Sequence, residues 1–177
     1  MDLMTFPQFD ANAMTIYDHD ASVKLDNDYW CVVNTFRFYL GDMKSDIYVE
    51  VPKGYLTDGA SIPRILWNII PPWGEYGQSV IVHDYLCDYG IIMDHGEAVA
   101  IDRARTDKIL KESLEVLRVA GWRRAMIMSG VNMHRILTRP GTNNITPNKA
   151  ILELERGNHD YLSDMLIMRE RRANDLG

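Results

Sequence analysis

Two adjacent side chains that can do acid–base or metal chemistry, His83 and Asp84, stand inside the apolar run "SVIVHDYLC". Imidazole titrates near neutral pH and binds metals through a neutral nitrogen, and a carboxylate supplies an anionic oxygen. Because apolar residues flank the pair, we expect at least one of the two side chains to point inward. The pair predicts either a chemical site or a core histidine bonded to a backbone carbonyl, with Asp84 at its rim.

A second polar cluster, "TDGAS", lies between apolar segments upstream of this pair. It places Asp58 and Ser61 on either side of a tight turn. We expect Gly59 to adopt a positive φ there, or to lie where a Cβ would collide with the segment that carries His83. Both polar residues also have purely structural interpretations, Asp58 as a turn residue and Ser61 as a helix N-cap. It is the coincidence of several polar clusters beside core segments that favours a site.

The third cluster lies at the start of the helix predicted after Asp102. Projecting its apolar face, marked by Leu110 and Leu114, back toward the N-terminus brings first Asp107 and then Arg103 to the core side. A buried carboxylate needs a partner, since an unpaired buried charge costs several kcal/mol, on the order of 3–5. The alternative to a site is an ordinary Arg103–Asp107 pair one helical turn apart.

The elements that must position these residues begin with two predicted strands and continue with helices. "YWCVVNTFRFYL" and "IYVEVPKGYLT" predict a β-hairpin with a longer loop, the second strand ending near Pro52. "DHGEAVAI" is interpreted as a connector. The helices are predicted over 63–70, 77–90, 102–121, 122–137 and 159–173.

These elements predict an α+β fold, with an N-terminal antiparallel hairpin or small sheet packed on a mainly helical C-terminal part. We expect one domain over residues 1–177, with a core at about 29–135 and a helical extension at 147–177. The length of 177 residues suits a single domain.

Composition narrows the classes of protein. The net charge of −6 argues against binding along a nucleic-acid backbone. The two cysteines, Cys31 and Cys87, do not make a disulfide framework, which favours a reducing compartment. No apolar stretch reaches 18 residues, and no basic start precedes an apolar N-terminal segment, so neither a membrane span nor a secretory signal is predicted.

The same polar clusters carry a family resemblance over about residues 29–135. The pattern is an aromatic-flanked Thr-Asp-Gly-Ala-Ser-x-Pro-Arg, a Pro-Pro-x-Gly, a His-Asp-Tyr-Leu, and then an Arg followed by an Asp on the next helix. It resembles the core motif of the domain of unknown function 1353 family, found in bacteriophages and prophages. The positions that fit are Thr57, Asp58, Gly59, Ala60, Ser61, Pro63, Arg64, Pro72, Gly74, His83, Asp84, Tyr85, Arg103 and Asp107.

One position departs from that pattern, because Cys87 stands where the family would have an aromatic residue. The family name implies no activity. A His-Asp doublet is also found in HD-type phosphohydrolases, but those need a separate upstream histidine on another helix. The upstream histidine here, His19, lies in a polar segment, which argues against that class.

The first functional hypothesis is a small phage-type hydrolase with a divalent metal, zinc or similar, acting on a peptidoglycan fragment or a nucleotide. Its metal ligands would be His83, Asp84 and Asp107. The residues that orient a water or substrate, or bind an anionic group, would be Asp58, Ser61, His83 and Arg103. The second hypothesis is a non-enzymatic virion or tail component, in which the polar cluster is structural and the partners are phage structural proteins. The predicted location is the host cytoplasm or the virion.

Overall fold

The computed structural model describes residues 8–59, 76–138 and 144–157. Within these ranges the chain forms seven strands and five helices. In chain order they are β1 (Thr15–Tyr17), α1 (His19–Leu25), β2 (Trp30–Val32), β3 (Phe36–Tyr39), β4 (Ile47–Val51), β5 (Leu56–Thr57), α2 (Gly77–Tyr89), β6 (Ile91–Asp94), β7 (Glu97–Ala100), α3 (Arg103–Val116), α4 (Gly121–Thr138) and α5 (Pro147–Glu155). The predicted α+β class is confirmed, with strands mostly N-terminal and helices mostly C-terminal.

The strands form two small antiparallel sheets. One has the order β1-β2-β5, and the other has the order β3-β4-β6-β7. The predicted hairpin is present as β3 and β4, which pair in the register Phe36↔Val51 through Tyr39↔Tyr48. Strand β4 ends at Val51, immediately before Pro52, because proline cannot donate to the ladder.

The segment predicted as one long strand, 29–40, is divided between the two sheets. Strand β2 pairs with β1 and β5, whereas β3 pairs with β4. The break falls at Asn34, whose side chain accepts from Met14 N and donates to Asn12 O. An asparagine that satisfies a neighbouring backbone in this way competes with continuation of the strand.

The interpretation of "DHGEAVAI" as a connector is wrong, since it contains the hairpin between β6 and β7. His95 and Gly96 form its two-residue loop, with φ of 50° and 83°. Positive φ at both loop positions matches the twist of the flanking strands, which is why such loops close hairpins. Helix α1 was also missed, in the segment around His19 that was interpreted as polar. The Asp18 side chain caps it by accepting from Ala21 N.

The helices that carry the polar clusters begin and end close to the predicted residues. Helix α2 ends with Gly90 in the left-handed conformation, and Asp102 caps α3 by accepting from Arg105 N. Helix α3 ends at Val116, earlier than predicted. The predicted short helix at 63–70 and the final helix at 159–173 lie outside the described residues.

Helix α2 lies at the centre of the fold. Nine of its residues are buried, and it packs on α3 as well as on β4 and β5. Its Tyr85 and Tyr89 contact the ring of Tyr55, which precedes β5. This packing brings the turn after β5, the middle of α2 and the first turns of α3 together. Across the described part of the chain, no helix is long and apolar enough to cross a membrane.

Candidate functional site

The inward-pointing member of the His83–Asp84 pair is His83. The Nε2 atom of His83 lies 3.0 Å from Oδ1 of Asp107, joining α2 to α3. The two residues are only 1% and 5% exposed. Because an ionised carboxylate can only accept, Nε2 carries the proton in this bond. This bond therefore joins two of the three polar clusters, although its residues are 24 positions apart in sequence.

Arg103 completes the cluster from the first turn of α3. Its Nε donates to the same Asp107 oxygen at 3.0 Å, and its Nη1 donates to Cys87 Sγ at 2.9 Å. The sulfur also lies 3.8 Å from both ring nitrogens of His83. The Arg103–Asp107 helix pair, considered as an alternative to a site, is thus part of one network. We call His83, Cys87, Arg103 and Asp107 the motif network.

Charge inside the motif network favours the ionised form of its carboxyl group. Burial pushes the pKa of Asp107 upward, but the hydrogen bond from His83 and the charge of Arg103 outweigh it and leave the pKa lower than usual. Burial raises the pKa of the Cys87 thiol despite the nearby Arg103 guanidinium. The raised pKa favours the neutral thiol of Cys87 over the thiolate, which is the nucleophilic form.

The outward member of the pair, Asp84, is half-buried and contacts the "TDGAS" turn. Thr57 Oγ1 donates to Asp84 Oδ2 at 2.7 Å, and Gly59 N donates to Thr57 Oγ1 at 3.3 Å. Gly59 has φ of 63°, so the predicted positive φ is confirmed. Asp58 accepts from Asn27 Nδ2 at 3.2 Å, a contact with the end of α1 that the sequence did not indicate. Ser61 lies outside the described residues.

Two of the predicted metal ligands bond to each other, and the third contacts the "TDGAS" turn. His83 and Asp107 bond to each other, whereas Asp84 bonds to Thr57. Among the residues that the structure describes, no group of three or more His, Cys, Asp or Glu side chains is arranged to hold a metal ion. The Asp107 oxygen that faces His83 also accepts from Arg103.

A second buried polar cluster was missed from the sequence. The Lys149 ammonium donates to Asp88 Oδ2 and lies 3.8 Å from Glu153 Oε1. Tyr55 donates to Asp88 at 2.8 Å, and Tyr89 donates to Glu153. The Glu153 carboxylate also accepts from the backbone N of Leu56 at 3.1 Å. We call Tyr55, Asp88, Tyr89, Lys149 and Glu153 the α5 network.

Burial and charge act in opposite directions within the α5 network. Burial would lower the pKa of Lys149, but the Asp88 and Glu153 carboxylates raise it above its usual value. Burial raises the pKa of Glu153 to about 7, although Lys149 and the Tyr89 hydroxyl favour the charged form. The sequence signal was weak, because Lys149 and Glu153 at i, i+4 after the Thr146 cap resemble an ordinary solvated helix face.

Comparison with known proteins gives a family and no activity. The family model described as "Protein of unknown function (DUF1353)" matches residues 30–131, which include both members of each bond in the motif network. The chain is 48% identical over 40 residues to "Uncharacterized protein y4jT" of Sinorhizobium fredii (strain NBRC 101917 / NGR234). That alignment covers 22% of this chain and 12% of the relative. No solved structure matches the chain.

Proposed function

The chain belongs to the DUF1353 family of proteins of unknown function, and from the geometry of its site we propose that it is a non-enzymatic protein. In this proposal the motif network fixes the fold, and the protein acts as a structural part of a larger assembly. A bacteriophage virion or tail component is the specific form of that role.

The observation that carries the proposal is the closure of the motif network. His83 and Asp107 are almost fully buried and bond to each other. A general base or nucleophile must come within about 3 Å of the group on which it acts, directly or through one water. The His83 nitrogen with the proton faces Asp107, and the Cys87 sulfur lies beside the ring. Mutual satisfaction of this kind is typical of a buried network that specifies packing.

Exposed apolar side chains support a role in assembly. Strand β1 is at the edge of its sheet, and its Ile16 and Tyr17 are exposed. Met14 before the strand and Val23 on the neighbouring helix α1 are exposed as well. Large apolar side chains beside an edge strand are characteristic of surfaces that bind other proteins.

The experiment that tests the proposal combines elemental analysis of the purified chain with thermal or urea unfolding. We expect no metal at one equivalent per chain and a loss of about 2–4 kcal/mol for His83→Ala, because the change leaves buried Asp107 with one partner fewer. His19→Ala is the matched control, since His19 is exposed. One equivalent of metal that disappears in His83→Ala, with little change in stability, would overturn the proposal.

A second candidate is the metal-dependent hydrolase, and one observation favours it. Asp58 and Asp84 are half-buried carboxylates that lie where the chain enters the segment containing Ser61. In this candidate Asp84 would turn from Thr57 to join His83 and Asp107 on a divalent metal such as zinc. Asp58 or Ser61 would orient a water, and Arg103 would bind an anionic group of the substrate.

The hydrolase candidate is tested by assaying nucleotides and peptidoglycan fragments with and without added zinc. Zinc-dependent turnover that Asp84→Asn abolishes, while Asp94→Asn retains it, would establish the second candidate in place of the first. Absence of turnover together with absence of bound metal would leave the structural role.

A further inference from the structure

The Lys149 amine is buried against a carboxyl group from another helix. Lys149 is 7% exposed, and its Nζ atom donates to Oδ2 of Asp88, near the C-terminal end of α2. The rings of Tyr29 and Tyr55 lie beside the same nitrogen, with their centroids 5.6 Å and 4.7 Å away. The nitrogen therefore lies among aromatic rings, next to a carboxyl carbon that an amine can attack.

A second carboxyl group faces this pair. Glu153 is fully buried, and its Oε1 atom lies 3.8 Å from Lys149 Nζ. The Leu56 backbone N donates to Oε1 and the Tyr89 hydroxyl donates to Oε2, so both oxygens are held in place. Burial raises the pKa of Glu153 to about 7, so its protonated form is populated near neutral pH. The group that faces the nitrogen can therefore both give and take a proton.

The starting state of Lys149 and Asp88 is an ion pair. Burial would lower the pKa of Lys149, but the Asp88 and Glu153 carboxylates raise it. Transfer of one proton from Lys149 to Asp88 leaves the net charge unchanged and replaces two charges by a neutral amine and a neutral acid. Rotation of the Asp88 carboxyl group about its Cβ–Cγ bond, a broad torsion, then presents Cγ to the nitrogen. Reactants held together in this way reach effective molarities on the order of 10⁵ M or more.

We propose that Lys149 and Asp88 form an isopeptide bond, with Glu153 as the acid–base catalyst. Lys149 Nζ attacks Asp88 Cγ, while Glu153 donates its proton to the carboxyl oxygen and accepts one from the nitrogen. The tetrahedral intermediate then loses one Asp88 oxygen as water, again with Glu153 relaying the protons. One C–N bond forms, one C–O bond breaks and one water leaves, so no oxidant or other reactant is needed. Glu153 ends in the protonated state in which it began.

The Tyr55 hydroxyl is placed to assist this reaction. It donates at 2.8 Å to the same Asp88 oxygen that Lys149 contacts. A carboxyl oxygen gains negative charge when the nitrogen attacks the carbon, and a donor aimed at that charge stabilises the transition state. The ion-paired form is the reactant, present directly after folding. The product would tie α5 covalently to α2, and so to the family-matched residues.

The intact mass of the full chain, followed with time after folding at pH 7, tests this proposal. We expect a species to accumulate that is lighter than the sequence mass by one water. A protease digest of that species should contain a branched peptide that joins the segments around Asp88 and Lys149. Lys149→Arg keeps the positive charge but replaces the amine, so it should remove both the mass loss and the branched peptide.

A matched pair of variants on α5 tests the role of Glu153. Glu153→Gln keeps the shape of the side chain but cannot relay a proton, so it should slow bond formation at least about a hundredfold. Glu155→Gln is the control, since the Glu155 side chain is 58% exposed, and it should leave the rate unchanged. Bond formation at the parent rate in Glu153→Gln would overturn the catalytic role of Glu153.

The parent chain alone can overturn the proposal, whether or not the variants fold. It would do so by keeping the full sequence mass after prolonged incubation. A succinimide at Asp58–Gly59 would also release one water, but it would yield no branched peptide and would survive Lys149→Arg. Mass loss of that kind alone would overturn the isopeptide bond as well.

Discussion

The motif network and the α5 network are both buried and both centred on α2, but they differ in charge and in what they connect. The motif network joins α2 to α3 and places one carboxylate, Asp107, between His83 and the Arg103 cation. The α5 network joins α2 and Tyr55 to α5 and places one cation, Lys149, between two carboxylates. The first lies within the family-matched residues, and the second extends beyond them.

This difference shows why two carboxyl groups buried in one small protein have pKa values shifted in opposite directions. Asp107 accepts a hydrogen bond from His83 and lies beside the Arg103 charge, so its pKa is lower than usual. Glu153 shares Lys149 with Asp88, and burial raises its pKa to about 7. The motif network is therefore most favourable with its carboxylate charged. The α5 network is held together by a single cation on which both carboxylates depend.

The largest effect is expected when that cation is removed. Lys149→Met should cost about 3–5 kcal/mol of unfolding free energy, because Asp88 and Glu153 then face each other without a positive charge. Urea unfolding at pH 7 measures this. Lys24→Met is the control, since Lys24 forms an exposed helix pair with Asp20 and should change stability by less than about 0.5 kcal/mol. Equal effects of the two changes would contradict the description of the α5 network as one buried unit.

The two networks also differ in how far the sequence predicted them. Asp107 and Arg103 were placed on the core side from the apolar periodicity of α3. The apolar flanks of the His83–Asp84 pair predicted that at least one of its two side chains points inward. Lys149 and Glu153 have no such signal, because their partners Asp88, Tyr55 and Tyr89 lie 60 or more residues away. Periodicity identifies the face of a helix but not the distant element that covers it.

The fold shows the same limit. The α+β class, the β3–β4 hairpin, the end of α2 and the start of α3 follow from local signals and were predicted. The division of residues 29–40 between two sheets depends on side-chain bonds of Asn34 to residues 12 and 14, which no local pattern contains. The β6–β7 hairpin had a local signal, the His95–Gly96 loop, that was not recognised because it lacks the usual Asn or Asp before glycine.

Within the motif network, His83→Ala should cost about 2–4 kcal/mol, and Asp84→Ala about 1 kcal/mol. The reason is that His83 is buried against Asp107, whereas Asp84 is half-buried and accepts from Thr57 at the edge of the turn. Thermal unfolding of both variants at pH 7 measures the difference. An equal loss for the two neighbours would show that the inward and outward roles assigned to them are wrong.

The opposite pKa shifts predict opposite dependence on pH. A raised folded pKa means that the contribution of Glu153 is complete below its unfolded value of about 4.5 and is lost as pH rises toward 7. The lowered pKa of Asp107 gives a contribution that is present above 3.8 and is lost as pH falls through the folded value. Glu153→Gln should therefore remove a decline of at most about 3 kcal/mol between pH 4.5 and 7.

Unfolding free energy measured from pH 3 to 8 checks this prediction. Asp107→Asn should leave the decline above pH 4.5 in place and flatten the acid side of the profile instead. A Glu153→Gln profile parallel to that of the parent chain would mean that the Glu153 carboxyl group does not titrate in this range. Glu153 would then keep one charge state across it, and the contrast with Asp107 would disappear.

The smallest expected effect lies at the turn that connects the two regions. In strand β5 the Leu56 amide donates to Glu153 and the Thr57 hydroxyl donates to Asp84. Gly59 follows the strand with φ of 63°. A residue with a Cβ is strained by about 1–2 kcal/mol in that conformation, so Gly59→Val should destabilise the protein by about that amount. Gly121→Ala is the control, because its added methyl group would make only an ordinary contact, 3.9 Å from Arg124 Nη2.

A double-mutant cycle tests whether the turn positions Thr57 to bond with Asp84. If it does, Thr57→Val should cost about 1 kcal/mol in the parent chain and less than half of that in Gly59→Val. Full additivity of the two changes would show that the Thr57–Asp84 bond does not depend on the turn.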